Sequence, residues 1–136
     1  MNELNKSEVD ALHEALDDEY RAWATYDQVI RDFGGVRPFS NIRDAEARHI
    51  QALCSLFNSY GIPVPGNDWP GRVARYMTVH EACKAALAAE IENGQMYDRL
   101  LRSTDRTDIQ TVFRNLQEAS QQRHLAAFRR CVERSE

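Results

Sequence analysis

This chain has few of the residues that interrupt helices and few that favour strands. Among 136 positions there are six glycines and four prolines, and three of the prolines fall in one stretch, "GIPVPGNDWPG". β-Branched residues are sparse while Ala, Leu, Glu, Arg and Gln dominate, which argues against sheet and for helix. No run approaches the ~20 apolar residues that a membrane span needs. The opening "MNELNKSEVDALHEAL" has no basic head followed by an apolar run, so neither a membrane partner nor export is expected. Cys54, Cys83 and Cys131 are odd in number, far apart and without CxxC spacing. That spacing argues against a disulfide framework, a zinc knuckle or a rubredoxin-type iron site, and a reducing, cytoplasmic setting is the expectation. Positive charge is not in excess either: 17 basic residues face 21 acidic ones, interspersed, for a net −4. Without a cationic patch, nucleic acid is not an expected partner.

What is present reads as one all-α domain over residues 1–136, long enough to bury a core of its own. Four helices are predicted. The first covers 6–32 and stops at "FGG", and the second covers 38–60, opening near Pro38 and closing at Gly61. The third opens at "TVHE", where Thr78 and Glu81 have capping-box spacing, and reaches about Arg102; the fourth follows an N-cap in "STDRTD" and reaches about Arg134. Four such helices with two short links and one long one describe a four-helix bundle. The long link, about 17 residues, reaches roughly 55 Å when extended against roughly 35 Å for a helix of this length. A crossover along the bundle between helices two and three is therefore within reach, and a simple turn is not excluded by length.

Alternating steps of three and four mark the inward seam of each helix. The first helix gives Val9, Leu12, Leu16, Glu19, Trp23, Tyr26 and Ile30; the second gives Phe39, Ile42, Glu46, His49, Leu53, Leu56 and Tyr60. The third gives Val79, Cys83, Ala86, Glu90, Asn93, Tyr97 and Leu100. The fourth is less regular, with Ile109, Phe113, Leu116, Ser120, His124, Ala127 and Cys131, and Gln121 stands three residues before His124. An acid interrupts three seams near their middles. Burying a lone carboxylate costs several kcal/mol, so the chain must supply compensation, and a divalent cation is the economical form of it. Glu46 and His49, three residues apart, project from one helix face and can converge on one ion.

A second regularity is independent of the seams. Glu19 and Tyr26 recur 71 positions later as Glu90 and Tyr97, and Glu46 and His49 match Gln121 and His124 75 positions later. The two helical hairpins read as halves of a duplication. With "EARHIQAL" around His49 and "HLAAF" around His124, the chain resembles the ferritin-like superfamily of di-iron carboxylate bundles, in particular small bacterial members of unknown function. In that superfamily each half gives a glutamate from its first helix and a Glu-x-x-His pair from its second.

The resemblance implies a ferritin-like fold and iron as cofactor, one or two ions, with manganese or zinc as substitutes. It implies Glu19 and Glu90 as terminal ligands, Glu46 as a bridging carboxylate, and His49 and His124 as nitrogen ligands. Gln121 stands where the second bridging acid would be, leaving three carboxylates for two divalent ions. Tyr26 and Tyr97 are expected to support the ligands by hydrogen bonds. The implied activity is that of a di-iron oxidoreductase acting on dioxygen or peroxide, and association as a homodimer is compatible with it. The rival from another class is a metal-free bundle used for protein association, with Gln121 marking a decayed site. In "DDEY", a neighbouring acid rather than Glu19 is an open alternative for the inward position, and Glu92 and Glu118 lie off their seams.

Overall fold

The computed structural model describes residues 3–135, and among these there is helix but no strand. Helix α1 spans Lys6–Phe33, α2 Phe39–Ser59 and α3 Val79–Leu100. A 3-10 turn, Leu101–Ser103, leads to a fourth rod. That rod consists of α4 (Thr107–Glu118), a π-helical segment (Ala119–His124) and α5 (Leu125–Arg134) in unbroken succession.

The helix ends obey local chemistry. Asn5 accepts a hydrogen bond from the Glu8 amide at 2.8 Å, and Glu8 accepts one from the Asn5 amide at 3.0 Å, a complete capping box. At α3 only half of the expected box forms: the Thr78 hydroxyl accepts from the Glu81 amide at 3.1 Å. At α4 Arg106 holds the cap position and its side chain makes no capping bond, while Asp108 Oδ1 accepts from the Ile109 amide of the first turn at 2.9 Å. The Thr104 hydroxyl accepts from the Arg106 amide at 3.0 Å and donates to the Glu8 carboxylate. Gly34 ends α1 at φ +87°, a conformation that side-chain-bearing residues rarely adopt.

The order of the contacts fixes the topology. Along α1, His13 stacks on Phe57, Glu19 approaches His49 and Asp27 pairs with Arg43, so α1 and α2 are antiparallel. Glu14 pairs with Arg99, Asp18 with Asn93 and Tyr26 with Glu90, so α1 and α3 are antiparallel as well. Helices α2 and α3 therefore run in the same direction, and the link between them must travel the length of the bundle. It lies along α1: the Tyr20 hydroxyl donates to the Pro65 carbonyl at 2.7 Å, the Trp69 indole to Asp17 at 2.9 Å, and Arg75 clasps Asp32. The molecule is an all-α four-helix bundle with a crossover between its second and third helices.

Two apolar clusters fill the interior. One holds Leu12, Leu16, Leu53, Phe57, Tyr97 and Phe113; the other is built around Tyr26, Phe39, Ala86 and Phe128. Each fully buried Leu or Phe contributes about 1.5–3 kcal/mol, so these clusters supply the stability that a polar layer between them draws on. The second cluster also contains a covalent link that the cysteine spacing did not suggest. Cys83 and Cys131 form a disulfide joining α3 to α5, with Cα atoms 6.0 Å apart, while Cys54 is a free thiol. The argument from spacing against a disulfide framework is thus corrected: antiparallel pairing of the second hairpin brings together residues separated by 48 positions. The reducing, cytoplasmic setting loses the cysteine argument that supported it. Among the described residues no helix is long and apolar enough to cross a membrane.

Candidate metal centre

Between the two apolar clusters lies a buried layer of acids and imidazoles. Glu19 of α1, Glu46 and His49 of α2, Glu90 of α3 and His124 at the end of the π segment are all buried. Of the three acids in "DDEY", Glu19 is the inward one, at 2 % exposure. Each comes from the middle of its helix, which is why four rods of similar length place them at one level.

The closest group is Glu46, His49 and His124, whose ligand atoms lie within 4.8 Å of one another. His49 Nδ1 is 2.9 Å from Glu46 Oε1 and 3.7 Å from Glu19 Oε2. His124 Nδ1 is 3.4 Å from Glu90 Oε1 and 3.8 Å from Glu46 Oε1. Each imidazole thus faces Glu46 and one other acid. Neither Nδ1 has a hydrogen-bond partner among the described residues, so these approaches are charge proximity without an aligned N–H···O bond. Metal–ligand bonds of about 2.1 Å put neighbouring ligand atoms about 3.0–3.4 Å apart, close to the spacings found here. The donor set suits a first-row divalent ion.

The electrostatics show what this layer costs without such an ion. Burial raises the Glu46 carboxyl well above its ordinary range, and the facing Glu19 adds to the rise. Burial also raises Glu19, against the pull of His49. Burial alone would lower His49, but Glu19 and Glu46 outweigh it and raise its pKa to about 10. Without a metal ion, protons compensate the charge.

Hydroxyl groups finish the layer unevenly. The Tyr26 hydroxyl donates to Glu90 Oε2 at 2.6 Å, and the Tyr97 hydroxyl to Glu19 Oε2 at 3.3 Å. Both tyrosines are kept neutral by burial and by the acids around them, which raise their pKa values well above the usual phenol range. Ser120 adds a bond to Glu90 Oε1 at 2.6 Å. Both oxygens of Glu90 are therefore engaged by hydroxyls, whereas Glu19 receives one longer bond.

Gln121 does not join the layer, contrary to the place given it by the Glu-x-x-His pattern. Its amide lies on the α3 backbone at Gly94 and donates to the Glu90 carbonyl at 2.8 Å and to Ser120 Oγ at 3.0 Å. The cause is the π segment, whose wider turn aligns residues four apart instead of three or four alternately. Ser120, four before His124, takes the inward position. Glu92 and Glu118 are exposed and leave the layer to its three acids.

The fold has been seen before in a crystal. The structure of a hypothetical protein from Methanococcus jannaschii matches with a TM-score of 0.87 at 23% identity, covering 98% of this chain and 84% of that one. At that identity the likeness establishes a common fold. No family model and no curated protein matches the chain.

Ser120 and Asn93 are the polar residues whose roles the seam pattern did not assign. Both stand on predicted seams, yet neither has the charge that marks a ligand. A signal for the π segment was present, because Leu116, Ser120, His124 and the buried Phe128 advance in three successive steps of four. A regular α-helix would carry such a series around its surface by about 40° per step.

Proposed function

We propose that this protein binds a divalent first-row metal, iron foremost, within the buried layer, in the manner of ferritin-like carboxylate bundles. The observation that carries the reading is the pair of buried, unpartnered Nδ1 atoms of His49 and His124 facing the carboxylate of Glu46. A buried polar atom without a partner costs about 1–3 kcal/mol, and a cation beside each of the two, sharing the Glu46 carboxylate, removes that cost. In this reading Glu46, His49 and Glu19 hold the firmer position, because only Tyr97 competes for the Glu19 oxygens. His124, Glu90 and Glu46 offer a second, weaker position, its acid already held by Tyr26 and Ser120. Manganese or zinc suits the same donors.

Iron in such a site supplies one-electron chemistry with dioxygen or peroxide, and a di-iron oxidoreductase is the working class that this reading implies. The protein's own contribution is to bound the layer at both ends with apolar clusters and to hold the acids by neutral tyrosine hydroxyls. The test begins with protein stripped by chelator and titrated anaerobically with Fe(II). One firmly bound ion per chain and a second of lower affinity are expected, measured by elemental analysis of dialysed protein. Glu46→Ala and His49→Ala should lose the firm ion while keeping the helical circular dichroism. Absence of saturable uptake by the intact chain would instead favour the metal-free association module, in which protonated His49 neutralises the layer.

A further inference from the structure

A cavity of about 480 Å³ enters between α1 and α3 and ends on the buried layer, with Glu46, Glu90 and Tyr26 at its floor. It exists because the facing surfaces of the two helices carry alanines, Ala22 on one side and Ala85, Ala86 and Ala89 on the other. Interiors pack to near-crystalline density, so helices bearing larger side chains would have closed this gap. Instead the crossover link covers it, with Trp69, Val73 and Tyr76 as its roof. The roof is tied down by the Trp69 indole on Asp17, by the Arg21 guanidinium 5.6 Å above the Trp69 ring, and by Arg75 on Asp32. The volume lies within the range of pockets that take small organic molecules, and the walls are largely apolar.

An independent observation indicates what such a molecule carries. Asn93 lines the cavity at 6 % exposure; its Nδ2 donates to Asp18 at 2.8 Å, but its Oδ1 has no partner. A buried acceptor of this kind calls for a donor. The lining offers an anion no spare positive charge: Asp18 and Glu92 balance Arg21 and Arg72, and Arg21 is already paired with Asp18 at 3.1 Å.

We infer that this cavity binds a small, uncharged, mostly apolar organic molecule bearing an O–H or N–H donor, delivered beneath the crossover link to the buried layer. Its role as the substrate pocket of a metal centre rests on the function proposed above; its ability to bind does not.

The test is calorimetric titration of three naphthalene probes into metal-stripped and metal-loaded protein. The neutral donor 2-naphthol should bind saturably to both forms. Capping the donor, in 2-methoxynaphthalene, should weaken binding about tenfold, and the anion 2-naphthoate should bind at least as poorly. Asn93→Ala should bring 2-naphthol and 2-methoxynaphthalene to the same affinity. Ala89→Phe, at an exposed wall position, should abolish 2-naphthol binding with metal uptake and helical signal unchanged, and Ala22→Leu provides a second, milder filling. The inference is overturned if 2-naphthol binds neither form saturably, if both fillings leave binding intact, or if 2-naphthoate binds best. Binding of 2-naphthol by a chain that takes up no metal would keep the pocket and remove the metal centre; metal uptake without binding would do the reverse.

Discussion

Glu8 and Glu46 are both buried carboxylates, and their surroundings drive them in opposite directions. Burial would raise the Glu8 pKa, but the Thr104 hydroxyl, the Asn5 amide and the Arg106 guanidinium outweigh it and hold the group below the usual carboxylate range. A depressed pKa means that the folded state binds fewer protons than the unfolded one. Glu8 therefore stabilises the protein above the unfolded value of about 4.3, and that contribution is lost as pH falls through the folded value. Glu8→Ala is expected to cost about 1–2 kcal/mol near neutrality, since it leaves the Thr104 hydroxyl without its acceptor and removes the part-exposed Arg106 ion pair, while Arg106 keeps its bond to the Glu3 carbonyl. Measured by urea unfolding, the gap between the variant and the natural chain should shrink as pH is lowered from 6 to 3. Glu19, Glu46 and His49 obey the opposite sign, because all three are raised in the folded, metal-free state. Groups with raised pKa values stabilise at low pH and lose that effect as pH rises. For His49 the contribution is complete below the unfolded value of about 6.5, and it is lost on passing through its folded value of about 10. Stripped protein should therefore become less stable from pH 7 to 10, and His49→Gln should flatten that slope. Metal uptake displaces the same protons, so affinity should strengthen with pH over the same range.

At the scale of the helices, the residues most legible in the sequence are those that keep to the ordinary helical period. Glu19, Glu46, His49 and Glu90 sit on seams of regular three- and four-residue steps, and such steps determine burial directly. Their meeting in one layer with His124 was legible for that reason. The inward residue beside His124 was read two ways, Ser120 on the seam and Gln121 in the Glu-x-x-His pattern, and the π segment, which changes the local period, gives the position to Ser120. Gly94 is the other half of that exchange. A Cβ there would lie 2.4 Å from the Gln121 amide, so glycine makes room for the amide to reach the α3 backbone. Helix propensity alone would have Gly94→Ala gain about 1 kcal/mol. Here it must dislodge Gln121 from the Glu90 carbonyl and Ser120, and a net loss of about 1 kcal/mol is expected instead. In a Gln121→Ala background the obstacle is gone and the same substitution should stabilise. A double-mutant cycle by chemical denaturation would read a coupling of about 2 kcal/mol; additive effects would mean that the amide is not held there.

For the whole molecule, chain direction decides what local pattern cannot. A long proline-rich link made a crossover affordable, but only the order of contacts along α1 shows that the link travels its length and roofs the gap beside α3. The same long-range pairing creates the disulfide. Cys83 stands seven residues before Glu90 and Cys131 seven after His124, so the antiparallel course of α3 and α5 brings the two to one level. Closing a loop of this length is worth about 4 kcal/mol in the chain-entropy account, because the cross-link removes freedom from the unfolded chain. Both sulfurs lie in the apolar cluster on the far side of the layer from Phe113, so the bond fastens one end of the second hairpin. Reduction should lower the melting temperature by roughly 10–15 °C while leaving helical content intact. Cys83→Ala/Cys131→Ala should melt near the reduced protein and be insensitive to reductant. If the oxidised and reduced chains melted together, the unfolded ensemble would have to be constrained already, and the second hairpin would be holding itself through packing alone.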